Sequence, residues 1–219
     1  MKLDVKQFEV TKPFNKELLG IVLPAAGERL MMRAGDVVIV AIIVTFGTAV
    51  VGGNAIGENL TQFNYMPGMG VATATVILVA NSLGRGDTAQ MKRIIRESYW
   101  ISTFLMVLVS GSILLFGQGL SSFFTDNKVA IAASQVVILY SFLGNPVTSA
   151  TLVFTAAWQG LGKAKIPFYA TTIGMWLIRI FSGYFLGVSL RMGLAGVWIA
   201  TVVDLSLIHI SEPTRRVVI

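Results

Sequence analysis

No cysteine occurs among the 219 residues, and histidine occurs once, as His209. Without thiols the chain has no disulfide framework, no thiol nucleophile and no Cys-based metal site. Charge is scarce too: Asp, Glu, Lys and Arg make up 13% of the residues, about half the ~25% usual in soluble proteins. A soluble domain of this size would lack the polar side chains to cover its surface, so most of the chain is expected to face lipid. The same shortage argues against disorder and against a nucleic-acid-binding domain. No glycine loop leads into Lys-Ser or Lys-Thr, so no nucleotide-driven motor is expected, and Gly84-Arg85-Gly86-Asp87 reads as a turn. No His, Asp and Ser set gathers at one place, so no enzyme, cofactor or metal site is expected. No secretory leader is expected either, because the first apolar run comes after Lys2, Lys6, Lys12 and Lys16.

Apolar residues supply 54% of the chain, and the mean hydropathy is +0.74. A bilayer core of about 30 Å takes about 20 helical residues, and six stretches qualify: 20–46, 55–83, 100–116, 129–158, 167–190 and 194–210. Polar and apolar residues do not alternate along them, so strands of a barrel are not expected. In lipid the backbone must satisfy its own hydrogen bonds, which makes the spans helices. The expected fold is all-α: a polytopic membrane protein with a six-helix transmembrane bundle. Breaks are predicted at Gly52-Gly53-Asn54, Gly84–Asp87, Gly117-Gln118-Gly119 and Gly160–Lys163. Asn81–Arg85 and Gln159–Lys163 echo each other, each with a glycine and then a cation after a long helix. Lys2, Lys6, Lys12, Lys16, Arg85, Lys92, Arg93, Arg96, Lys163 and Lys165 fall on one set of loops, and only Lys128 and Arg191 on the other. By the positive-inside rule the first set and the N-terminus are cytoplasmic; the expected location is a plasma (inner) membrane of bacterial type.

Charges inside the spans are the informative residues, since each costs about 2.5–3.5 kcal/mol near the bilayer centre. The first span holds Glu28, Arg29, Arg33 and Asp36. Arg29, Arg33 and Asp36 fall within about 60° of one helix face, and Arg33 can pair with Asp36 one turn on. Such a pair is either self-neutralising glue or a carboxylate lining a cavity. Asp36 is placed deeper, and Glu28 is placed nearer the end, where it can snorkel. Glu58, Asn59, Gln62 and Asn64 form a polar stripe on the second span, for an aqueous cleft or for helix–helix hydrogen bonds. Arg179, alone in the fifth span, is read as a structural anchor that needs a carboxylate or carbonyl partner or an opening to water. Pro67 with Gly68 and Gly70, and Pro146, are candidate helix breaks or gating points. Met31, Met32, Met66, Met69 and Met175, with Phe63, Tyr65, Phe154 and Trp176, either line an adaptable apolar pocket or face lipid.

The run Asn64-Tyr65-Met66-Pro67-Gly68-Met69-Gly70-Val71-Ala72-Thr73-Ala74-Thr75 precedes Asn81-Ser82-Leu83-Gly84-Arg85-Gly86-Asp87. Gln159 to Pro167, Gly174 to Arg179, and Gly193 to Ala200 follow in order. Together these resemble the multidrug and toxic compound extrusion (MATE) family over about residues 18–205. The resemblance implies a twelve-helix antiporter of two six-helix lobes that exchanges cationic, amphipathic compounds for H+ or Na+. The chain would then be the C-terminal lobe (18–205), entered at Leu23-Pro24-Ala25-Ala26-Gly27-Glu28-Arg29 from a cytoplasmic inter-lobe linker (1–17). Its partners would be the bilayer, the N-terminal lobe and small cationic or amphipathic substrates. Where some members carry carboxylates on the first and fourth helices of this lobe, the chain has Met32 and Thr148, and Asp36 is the nearest substitute. Other readings are a lipid-linked oligosaccharide flippase of the same wider fold group and a non-transporting scaffold. Ser206 to Arg216 resembles translated adapter sequence, so 206–219 is expected to be a non-native tail that includes His209.

Overall fold

The computed structural model describes residues 12–163 and 165–207. Expectations about residues 1–11 of the linker, about 208–219 of the tail and about His209 lie outside the described residues. Those residues form six consecutive helices and no strand. They are α1 (Lys12–Val44), α2 (Thr48–Gly84), α3 (Thr88–Ser122), α4 (Lys128–Gly160), α5 (Lys165–Ser189) and α6 (Gly193–Leu207). Helices α2 to α5 are each long and apolar enough to cross a membrane, and α6 is a shorter apolar helix. The chain is a multi-pass helical membrane protein.

Every helix outruns its expected span at one end or both, α6 by a single residue at its start. α1 takes up residues 12–17, which were expected to belong to the linker; Pro13 falls in the first turn, where no backbone N–H donor is needed. Two expected turns are as read. At Asn81–Asp87 and at Trp158–Lys163 the chain closes with the same pair of backbone bonds. Gly86 N donates to Leu83 O and Asp87 N to Ser82 O; Gly162 N donates to Gln159 O and Lys163 N to Trp158 O. Both glycines sit at φ +70°, the left-handed closure of a helix. Asp87 then caps α3 by accepting from Gln90 N at 2.8 Å.

Two expected breaks are not breaks. Gly52-Gly53-Asn54 lies inside α2 and Gly117-Gln118-Gly119 inside α3. The turns fall instead at Thr45–Gly47 and at Phe123–Asn127. Gly53 is buried against the Ala130 carbonyl and the Ala133 side chain, and a Cβ on Gly57 would stand 2.5 Å from Val137 Cβ. Gly117 packs against Ile138 and Gln135. These glycines bring α2 and α3 onto α4 and do not end a helix. Pro67 and Pro146 likewise sit within continuous helices.

The bundle is built with small and polar residues inside and large apolar residues outside. Along α3 the buried positions include Ser98, Ser102, Ser110, Gly117 and Ser121, while Phe104, Leu115 and Phe116 are exposed. In lipid that polarity is the stable one, because outward apolar groups cost nothing and interior hydroxyls find partners. Val79, Met91, Ile95, Val153 and Ala157 knit α2, α3 and α4 into one packed group. α1, α5 and α6 form a second group, joined to α4 where Ile39, Ile43, Ala133, Val137, Leu194 and Val197 meet. α5 is irregular, with π-helical turns at Gly174–Arg179 and Phe185–Ser189.

Candidate functional site

Between the two groups lies a cavity of about 340 Å³, lined from α1, α2, α4, α5 and α6. Its soft wall is Met32, Tyr65, Met69, Leu152 and Met175, and its polar wall includes Thr151, Thr155, Thr171 and Gln159. Four charged side chains face it: Glu28, Arg29, Arg179 and Asp204.

Each charge is placed by a local feature of the chain. Gly27 and Gly35 lie two turns apart on α1 and let α5 approach; Gly27 faces the Phe168 ring and Gly35 the Met175 side chain. Glu28 is thereby buried, and its Oε1 accepts from Thr171 Oγ1 at 3.4 Å. Arg179 ends the first π-helical turn of α5 and is only 17% exposed. Its Nε donates to Thr201 Oγ1 on α6 at 3.1 Å, and its Nη1 stands 3.8 Å from Met175 Sδ and 3.7 Å from Asp36 Oδ1. Asp36 also meets Arg33, at 3.4 Å through Oδ2, so it lies between two guanidinium groups. Asp204 on α6 is 4% exposed. Its Oδ1 has no hydrogen-bond donor among the described residues and fills the space where Gly174 lacks a Cβ.

The expected site residues divide between this cavity and other places. Met32 and Arg179 line it; Asp36 reaches it only through Arg179. Arg33 is largely exposed beside Asp36. Glu58 is exposed and accepts from Asn54 Nδ2 at 3.0 Å. Asn59 is exposed and donates to Ala55 O, and Gln62 is exposed. Asn64 is buried and donates to Asn145 Oδ1 at 2.6 Å, so of this stripe only Asn64 points inward to bind another helix. Thr148 Oγ1 returns a bond to Gly144 O. Gly68 packs against Met106 and Leu152, whereas Gly70 faces open space and Pro146 is exposed. The methionine and aromatic set divides three ways, with Phe154 packed in the group of α2, α3 and α4. Met32, Tyr65, Met69 and Met175 line the cavity, while Met31, Phe63, Met66 and Trp176 point outward. Glu28, expected to snorkel, is the buried acid of α1.

Asp204 is the functional candidate that spacing alone passed over. It is the one charged residue of α6, and the criterion that singles out Arg179 applies equally to it.

Comparison with known proteins places this architecture. The MatE family model matches residues 24–185. An uncharacterized transporter, YisQ, of Bacillus subtilis (strain 168) is 27% identical over 208 residues, covering 93% of this chain and 45% of the relative. A probable multidrug resistance protein, NorM, of Thermotoga maritima is 26% identical over 190 residues, covering 87% and 41%. The solved structure of a multidrug resistance MATE family transporter of the MOP superfamily, in an outward-facing conformation, superposes with a TM-score of 0.83 at 20% identity; the match covers 97% of this chain and 48% of that one. The chain spans about half the length of the curated relatives it matches. It belongs to the multidrug and toxic compound extrusion family.

Proposed function

We propose that the chain is one six-helix lobe of a secondary-active exporter that moves cationic or amphipathic drugs outward in exchange for H+ or Na+. The observation that carries this reading is the cavity between the two helix groups. It joins an adaptable Met and Tyr wall to two buried carboxylates, Glu28 and Asp204. Thioether and aromatic surfaces accept varied apolar shapes, and a buried acid selects a positive charge. The names of the relatives, several of them probable multidrug resistance proteins, agree with that chemistry. The rest of the exporter would be a preceding lobe, reached through residues 1–17, with residues 18–205 forming the present one. The N-terminus would be cytoplasmic, following the basic loops. The test is accumulation of a fluorescent cationic dye in efflux-deficient cells expressing the complete protein. Wild type is expected to lower accumulation, and Glu28→Gln at equal membrane abundance to restore it; no effect of the wild type on any cationic dye would overturn the reading.

A further inference from the structure

Asp204 is the one carboxylate of the lobe that is both deeply buried and missing a donor at one oxygen among the described residues. Glu28 has Thr171, and Asp36 has Arg33 and Arg179. The charged and titratable groups facing Asp204 across the cavity are Glu28 and Arg29 of α1, Tyr65 of α2 and Arg179 of α5; α4 contributes only neutral side chains. Arg29 is exposed, which leaves Arg179 as the half-buried cation among these groups. Arg179 is held one turn short of Asp204 by its bond to Thr201, yet its ion contact goes to Asp36. Asp204 rests instead against Gly174, at the start of the same π-helical turn that Arg179 ends. Burial with one oxygen lacking a donor, and with the nearest cation in ion contact with Asp36, disfavours the ionised carboxylate, so this arrangement suits the neutral acid.

We infer that Asp204 is a proton-binding residue of the lobe, and that Arg179 passes between Asp36 and Asp204 as that proton leaves and arrives. The inference rests on the exporter reading for its purpose but not for its chemistry. With the proton on Asp204, Arg179 stays with Asp36. When the proton leaves to water in the cavity, the carboxylate left behind competes for the same guanidinium, whose tether to Thr201 already holds it beside α6. The π-helical turn carries both the arginine and the glycine against which the acid sits, so a change of partner acts directly on α5.

The test is infrared difference spectroscopy on the 219-residue chain reconstituted in lipid, with the pH stepped between acid and neutral values. A protonated-carboxyl C=O stretching band is expected at acid pH, abolished in Asp204→Asn and retained in Glu28→Gln. Asp36→Asn, which frees Arg179 for Asp204, is expected to diminish the band at a given pH. Should Asp204→Asn fail to fold, Asp204→Glu takes its place, and a displaced band is the expected result. A band that survives Asp204→Asn or is unmoved by Asp204→Glu overturns the proposal. So does a spectrum in which Asp204 responds to Na+ and not to pH. Because the readout needs no transport, its failure leaves the exporter reading standing, and a dye-efflux failure with the band intact removes only the exporter reading.

Discussion

At single positions, the decisive contacts are those that large side chains do not make. Gly57 lets α2 lie on Val137 of α4, where a Cβ would intrude to 2.5 Å. Gly57→Val is expected to destabilise the bundle by about 1–3 kcal/mol, the usual cost of overpacking. Gly70 lies on the same helix with nothing within 4 Å of its Cβ position. Gly70→Ala is therefore expected to be neutral, or to stabilise by up to about 1 kcal/mol through helix propensity. Thermal unfolding of the two variants in one detergent separates the effects, and equal losses would mean that packing against α4 is not the cause. Polar contacts follow a similar rule. Asn145 accepts from Asn64 on α2 and donates to Ser110 and to the Met106 carbonyl on α3, so one side chain joins three helices. Hydrogen bonds between membrane helices are worth on average about 0.6 kcal/mol and at most about 1.7. A double-mutant cycle of Asn64→Ala and Asn145→Ala is expected to give a coupling in that range. A coupling of zero would show that the bond contributes nothing to stability.

At the scale of helices, the same residue type plays opposite parts, and this bounds what a sequence shows. Long apolar runs without alternation announce α2 to α5, since apart from the strands of a closed barrel only a helix satisfies its backbone in lipid. Gly86 and Gly162 announce turns because each follows a long helix and precedes Asp87 or Lys163, which cap or complement helix ends. Gly53 and Gly117 carry the same letter but end nothing; only the facing helix α4, distant in the chain, explains them. The candidate site divides in the same way. Met32, Asp36 and Arg179 were legible one at a time, as soft or charged residues at membrane depth. That Glu28 near the start of the lobe and Asp204 near its end share a cavity was not, because burial on α1 depends on Gly27 and Gly35 meeting α5. The turns, once placed, give a sharper topology experiment. Single cysteines at Gly47 and Lys128 are expected to react with an impermeant thiol reagent added outside intact cells, and cysteines at Arg85 and Lys163 to be spared. Gly53 is unsuitable for that purpose, being buried within α2. The reverse pattern of labelling would invert the proposed orientation.

For the whole molecule, the cavity sets an expectation about what a single lobe can do. Its lining comes from five helices of this chain, yet alternating access requires one repeat or bundle to rock against another around a site between them. The 219-residue chain expressed alone is therefore expected to confer no drug resistance on an efflux-deficient host, even where it reaches the membrane. Resistance from the chain alone would refute the half-transporter reading. In the complete protein Glu28 and Asp36, both on α1, differ in position and should differ in consequence. Glu28 is buried at the cavity wall with Thr171, so Glu28→Gln removes a negative charge that a cationic substrate would meet. Asp36 stands outside the wall and acts through Arg179, so Asp36→Asn leaves the wall intact and shifts only the arginine's partner. Efflux normalised to membrane abundance is expected to fall at least tenfold in Glu28→Gln, since about 1.4 kcal/mol of lost interaction suffices for that. In Asp36→Asn it is expected to fall less, with the change concentrated in its dependence on external pH. If the two variants lose efflux equally and with the same pH profile, the carboxylates act as one ion-pair network and the cavity wall has no separate role in recognising charge.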